Sequence, residues 1–217
     1  MKLLLISDEE SPYFWDYYQP WKLKDIDLIL SAGDLKPEYL SFLVTLGHAP
    51  LLYVHGNHDG RYEKFPPEGC LCVDDDLVSV KGLRILGLGG SQLYNYGPHQ
   101  YTEQQMRRRI RKLRRKIRKY KGVDIVLTHA PALGLGDQED RVHRGFAAFL
   151  DLMDELHPRY LVHGHIHQRY QIKRQDELRY HDTKIINCSG YKILELPDAV
   201  PASEIPSGLK RRSWRLW

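Results

Sequence analysis

Five short polar islands, each closing a hydrophobic run, constrain the fold of this sequence most tightly. They read Ser7-Asp8-Glu9-Glu10, Gly33-Asp34, Gly56-Asn57-His58-Asp59, Thr128-His129 and Gly164-His165-Ile166-His167. The runs ahead of them, at residues 3–7, 28–31, 51–54, 124–127 and 160–162, are rich in Leu, Ile and Val. Runs this short and this apolar predict strands buried on both faces. Helical patterns at 37–46, 103–121 and 145–156 fall between them, and two more strands are expected at 78–80 and 84–88. Strands alternating with helices predict an α/β sheet. Donor atoms then recur just past strand ends, where tight turns and ligand sites gather in such sheets.

After the fifth island, three short strands near 168–173, 184–187 and 191–195 are spaced like an antiparallel meander. Residues 1–196 are expected to form one domain, and 197–217 an irregular segment with a basic, aromatic tail. The length of 217 residues suits one core. The first apolar run is too short for a signal-peptide core and reaches a carboxylate at Asp8. No stretch approaches the ~18 apolar residues that span a bilayer. Three cysteines form no disulfide framework. A cytoplasmic protein is the expectation. Cys70 and Cys72 lack a second pair for a zinc site, so all three thiols read as buried or half-buried structural residues.

The islands combine hard carboxylates and an amide oxygen with imidazoles, a donor set that suits first-row divalent ions. Asp8 and Glu10 lie two apart, so both point to one face if the strand geometry persists. His165 and His167 share that spacing. Gly33 permits a sharp turn directly before Asp34, and Asn57 and His58 sit in another glycine-led turn. The set suggests two adjacent metal ions and hydrolysis of a phosphate ester. His48, His55, His99, His157, His163 and His181 are read as ordinary surface or core histidines.

The order D-x-[H], GD, GNH[D/E], H and GHxH resembles the calcineurin-like metallophosphoesterase superfamily over about residues 3–187, and within it the small phosphodiesterases of bacteria and archaea. The resemblance implies a four-layer αββα sandwich of two mixed β-sheets flanked by helices. It implies that Asp8, Glu10 and His167 bind one divalent ion and Asn57, His129 and His165 another, with Asp34 bridging both. Mn²⁺ or Fe²⁺ is expected, with Zn²⁺ or Mg²⁺ as alternatives. In such a site a hydroxide shared by the two metals attacks phosphorus, and His58 protonates the leaving alkoxide without binding metal. Asp59 either orients His58 or braces the turn. Glu10 departs from the family pattern, which has histidine there. Its added negative charge is expected to disfavour dianionic monoesters and to tilt metal choice from Zn²⁺ toward Mn²⁺, Fe²⁺ or Mg²⁺. The protein-phosphatase branch carries a second aspartate and an Arg-Gly after Gly-Asp. Leu35-Lys36-Pro37-Glu38 stands there instead.

Three segments are candidates to wall the site. Tyr13, Phe14, Trp15, Tyr17, Tyr18 and Trp21 form a hydrophobic flap or a stacking surface for a nucleobase. Residues 89–97 carry glycines that admit a close ligand. In the loop 136–145, His143 and Arg144 are candidate contacts to the substrate phosphate, as is Asn57. The net charge is +4, yet residues 107–121 alone hold eleven basic residues and no acidic one, so the rest of the chain is net acidic. Met106, Ile110, Leu113, Ile117 and Tyr120 make one apolar stripe on that helix, and its basic side is read as a solvated outer face. A small phosphate ester is therefore the expected partner. A nuclease using this helix, or an inactive interaction scaffold, are the alternatives.

Overall fold

The structure, a computed structural model, describes residues 1–167 and 178–197. Its strands are β1 (Lys2–Ser7), β2 (Leu28–Ser31), β3 (Leu51–Tyr53), β4 (Leu71–Cys72), β5 (Asp76–Val80), β6 (Leu83–Leu88), β7 (Ser91–Gln92), β8 (Gln100–Tyr101), β9 (Ile125–Thr128), β10 (Tyr160–His163), β11 (Leu178–Tyr180), β12 (Thr183–Asn187) and β13 (Gly190–Glu195). The α-helices are α1 (Pro37–Gly47), α2 (Glu103–Tyr120) and α3 (Ala147–Leu156). One sheet has the order β13-β1-β2-β3-β4 and the other β11-β12-β10-β9-β6-β5. Both are mixed: β1 to β4 run parallel with β13 antiparallel at the edge, and β6, β9, β10 and β12 run parallel between two antiparallel edges. The pair β7–β8 forms a small separate ribbon.

Side-chain alternation along each strand builds the layers. Leu3 and Leu5 of β1 join Leu28, Leu30, Ile85, Ile125, Leu127 and Val162 in a core between the sheets. Leu4 and Ile6 point the other way, against Tyr39, Leu40 and Leu43 of α1. On the opposite side, Leu86, Leu88, Val126 and Leu161 pack against Met106, Ile110, Leu113 and Ile117 of α2 and Phe149, Leu152 and Met153 of α3. Strands with both faces covered read as continuous apolar runs, which is why the sequence shows them without alternation. The four layers are helix, sheet, sheet and helix, as the resemblance implied.

Helix α2 starts at a capping box, with Thr102 Oγ1 accepting from Gln105 N and Gln105 Oε1 accepting from Thr102 N. The apolar stripe lies on the sheet as expected. Several basic residues are engaged locally: Arg107 with Glu103 and Asp151, Arg114 with Glu155 and Lys116 with Asp76. Arg109 is buried, its guanidinium over the Tyr101 ring and bonded to Asp74, Asp75 and the Gly89 carbonyl.

The C-terminal meander does not form. Strand β12 pairs with β11 and β10 in the second sheet, whereas β13 crosses to the first sheet and pairs along β1 from Lys2–Glu195 to Ser7–Gly190. Cys188, buried in the core between the sheets, lies on the crossing segment, and Gly190 turns the chain at φ 76°. The strand expected at 168–173 and the tail at 209–217 lie outside the described residues. No helix among the described residues is long and apolar enough to cross a membrane.

Candidate metal centre

Asp8, Asp34 and Asn57 follow β1, β2 and β3 of the first sheet, and His129 and His165 follow β9 and β10 of the second. All five stand at carboxyl ends of parallel strands, where the two sheets face each other. Gly33 (φ 94°) lets two of these turns touch, because a Cβ there would collide with the Gly56 backbone. Gly164 does the same between the sheets, where a Cβ would meet Ser7 and the Asp8 carboxylate. Asp8, Asp34 and His165 all adopt positive φ (62°, 57° and 66°). Non-glycine residues there cost about 1–3 kcal/mol each and mark sites where surrounding structure imposes the conformation.

Four donors converge. His129 Nε2 is 2.9 Å from Asn57 Oδ1, 3.3 Å from Asp34 Oδ2 and 3.1 Å from His165 Nδ1. The distal ring nitrogens are tied off: His129 Nδ1 lies 2.7 Å from the Ala32 carbonyl and His165 Nε2 2.8 Å from that of Val142. Carbonyls only accept, so these nitrogens carry protons and, when both rings are neutral, the other two face each other as lone pairs. Two imidazole lone pairs at 3.1 Å need a proton or a cation between them. This donor set fits a divalent metal ion, with carbonyl partners fixing the ring orientations as metal-bound histidines require.

The electrostatics agree. Burial disfavours both charged forms, yet the Asp34 carboxylate draws the His129 pKa up to about 9, and His129 holds the Asp34 carboxyl below its usual range. Burial, with the nearby His129 charge, pushes His165 down to about 3, so its ring is neutral. Burial raises the Asp8 pKa. Without metal, the proton on His129 supplies the positive charge that the carboxylates face.

The remaining expected residues divide. Asp8 accepts from the backbone N–H of His165 across the sheets (3.0 and 3.1 Å). His167 Nδ1 is 3.3 Å from Glu9 Oε1. Glu10 sits apart: its Oε1 accepts from the Lys36 N–H (3.2 Å) at the start of α1 and its Oε2 is 3.5 Å from Lys36 Nζ. The His58 ring is exposed, while its backbone N–H donates to Asp34 Oδ1 (2.8 Å). Asp59 accepts from the N–H groups of Asp34 and Gly56 (2.8 and 2.7 Å), bracing the two turns together. Burial, and then the Asp34 charge, lift its pKa to about 6.

Around this centre, the loop from Gly136 to Gly145 is pinned by Asp137 and Asp140, and it brings Val142 O and the His143 ring (5.4 Å between centroids) onto His165. Arg144 beside it is exposed. The aromatic flap packs on α1 and β13, with Phe14 buried, Trp15 against Tyr39 and Phe42, and Tyr13 stacked on Tyr191. Two site neighbours were not singled out in the sequence, although Tyr94 lies in the candidate wall 89–97 and Glu9 in the first polar island. Tyr94 Oη accepts from Asn57 Nδ2 (3.1 Å), and its only signal was the glycine-rich run around it. Glu9 carried none beyond its place between two candidate ligands.

The chain is similar to known proteins over most of its length. Residues 1–169 match the family model described as calcineurin-like phosphoesterase. UPF0046 protein T07D4.2 of Caenorhabditis elegans is 41% identical over 69 residues, covering 31% of this chain and 16% of the relative. UPF0046 protein C25E10.12 of the same organism is 26% identical over 193 residues, covering 73% of this chain and 66% of the relative. The chain thus matches less than two thirds of either curated relative. Among solved structures, one crystal structure superposes with a TM-score of 0.64 at 15% identity, covering 89% of this chain and 94% of the other. The crystal structure of TT1561 of Thermus thermophilus gives 0.60 at 14% identity, covering 87% and 89%. Both likenesses support the fold.

Proposed function

The chain belongs to the calcineurin-like phosphoesterase family, and from that premise we propose that it hydrolyses a small phosphodiester, with divalent ions held between the carboxyl strand ends of the two sheets and His58 donating a proton to the leaving alcohol. Metal-dependent phosphoester hydrolysis is the chemistry that family membership supports. The diester preference, the two-ion centre and the residue roles are the finer reading. The observation that carries it is the convergence of Asp34, His129 and His165 donor atoms within 4.8 Å of one another.

In this reading Asn57, His129 and His165 would hold one ion, Asp8 and His167 would hold a second with a carboxylate from Glu9 or Glu10, and Asp34 would serve both. Mn²⁺ or Fe²⁺ suits this oxygen-rich set best. Bound divalent ions supply charge against the phosphate oxygens and make water acidic enough to deprotonate near neutral pH. Asp34 ties the proton donor to the centre, because one of its oxygens accepts from the His58 N–H. Asp59 keeps that spacing by clamping the Asp34 and Gly56 turns. The exposed imidazole of His58 is then free to reach the ester oxygen that departs. His143, whose ring lies over His165, and Arg144 beside it would bind the phosphate or its ester group. Three carboxylates at the centre (Asp8, Glu9 and Asp34) offset most of the charge of two divalent ions, which favours a monoanionic diester over a dianionic monoester. The three free thiols suit a reducing compartment, and the cytoplasm is the proposed location.

Replacing His58 with Ala should lower turnover of bis-p-nitrophenyl phosphate by about 10²–10⁴-fold while leaving bound metal unchanged. Loss of metal in that variant would refute the assigned role. Faster turnover of p-nitrophenyl phosphate than of the diester would refute the charge argument.

A further inference from the structure

A second group of ligating side chains stands at the carboxyl ends of β3 and β4, outside the centre described above. His55 lies two residues past β3, Cys72 ends β4, and Asp74 follows it. His55 Nδ1 is 2.6 Å from Asp74 Oδ2 and 3.9 Å from Cys72 Sγ, and the three ligand atoms all lie within 4.8 Å of one another. One nitrogen therefore faces a carboxylate and a thiol together, and a single ring proton satisfies only one of them.

The geometry points to a separate site for a zinc-class divalent cation, bound by His55 Nδ1, Cys72 Sγ and Asp74 Oδ2. Sulfur, imidazole and carboxylate are the donors Zn²⁺ takes, at bond lengths of about 2.0–2.3 Å. Those lengths place tetrahedral ligands roughly 3.3–3.8 Å apart; the His55–Cys72 separation of 3.9 Å is close to this, and the 2.6 Å His55–Asp74 hydrogen bond must open by less than an ångström to admit the ion. Asp74 has outer support of the kind ligating carboxylates need. Its Oδ1 is held by Arg109 Nη2 (3.2 Å) and the Gly89 N–H, and its Oδ2 accepts from the His55 N–H (3.0 Å). The Arg109 charge compensates one of the two anions, so the site does not hold an excess of negative charge. Cys72 is exposed, which opens a path for the ion. Beside the cluster, the His99 ring stacks on His55 (4.3 Å, 12° between planes), and its Nε2 is a buried side-chain nitrogen without a hydrogen-bond partner among the described residues. Three protein ligands leave a fourth position for water.

The site bears on the first centre through the backbone. His55 O accepts from the Gly90 N–H (2.7 Å), and His55 precedes Asn57 by two residues. An ion here cross-links the turn that carries Asn57 and His58 to β4 and to the Gly89–Gly90 corner. No local spacing announces it, because its ligands come from the end of β4 and from the two segments that follow β3 and β4. Taken singly, His55 and His99 read as ordinary histidines and Cys72 as a structural thiol, whereas Cys72 is in fact exposed.

The test reads sulfur rather than activity, so it is independent of the hydrolytic reading. Metal-free full-length protein titrated with Co²⁺ should show a thiolate-to-cobalt charge-transfer band, which the sulfur-free ligands around Asp34 cannot produce. The band should persist in Asp34→Asn, Cys70→Ser and Cys188→Ser, vanish in Cys72→Ser, and require roughly tenfold more Co²⁺ in His55→Gln. In the unmodified protein, Zn²⁺ should slow iodoacetamide alkylation of Cys72 by roughly tenfold or more, and a chelator should restore it. A missing band, a band that survives Cys72→Ser or disappears with Cys188→Ser, or alkylation indifferent to Zn²⁺ would overturn the proposal.

Discussion

The two halves of the main centre are built differently. Around Asp34, Asn57, His129 and His165 the donors are mostly buried, each imidazole is locked by a carbonyl, and the ligand atoms already face one another. Around Asp8, Glu9, Glu10 and His167 the His167 side chain is 40% exposed, its nitrogen stands 3.3 Å from Glu9, and Glu10 is turned to Lys36. Locked ligands lose their freedom at folding, whereas long exposed side chains lose it only when the metal arrives. The first half should therefore hold its ion tightly and the second exchange it.

Removing the carboxylate proposed to serve both ions should break the contrast most completely. Asp34→Asn keeps the shape of the side chain but takes away the charge opposite His129. Metal should be lost from the first half by more than the ~10–100-fold in affinity typical of losing an outer-shell partner, and diester turnover with it. Metal analysis beside a thermal melt separates this from unfolding. Full metal occupancy in the variant would mean that Asp34 is not a ligand.

Proton release sharpens the contrast next. The His129 pKa in the metal-free fold is raised from its usual 6.5 to about 9, so its Nε2 side carries a proton near neutral pH, and a metal must displace it. First-half affinity should then rise about tenfold per pH unit up to about pH 9 and level off above it. His165, held near 3, adds no proton in that window. The sign for folding runs the other way in metal-free protein. A raised pKa contributes stability in full below the unfolded value of 6.5, and that contribution is lost as pH climbs through about 9. Titration calorimetry in two buffers of unlike ionisation enthalpy counts the protons. A count near zero would contradict the His129–Asp34 pairing.

What was legible in the sequence follows the same division. The buried strands announced themselves as apolar runs, and glycines before Asp34 and Asn57 marked turns whose backbones must touch. Short edge strands such as β4 and β11 lack enough residues for a pattern, and the crossing from β12 to β13 leaves no periodic trace. Partners set by tertiary approach were equally silent: the Val142 carbonyl on His165, Tyr94 on Asn57, and the buried Arg109 inside a run of surface arginines. For the Asp8 segment, alternation itself misleads. Two residues apart means one face only while the chain stays extended, and Asp8 at φ 62° ends the strand.

That break produces the smallest and most discriminating prediction. Because the chain turns at Asp8, Glu9 reaches His167 while Glu10 caps the Lys36 N–H at the α1 N-terminus, where a carboxylate is favourably placed. Glu9→Gln should weaken the second ion by roughly tenfold, about the loss expected for one donor on a flexible, half-exposed side chain, and leave the first ion in place. Glu10→Gln should leave both affinities within about twofold and instead cost roughly 0.3–1 kcal/mol of stability through the helix terminus. Sequential Mn²⁺ titration followed by electron paramagnetic resonance resolves the two halves. If Glu10→Gln empties the second half and Glu9→Gln does not, metal binding must swing Glu10 away from Lys36. The open half would then be assembled by its ion rather than awaiting it.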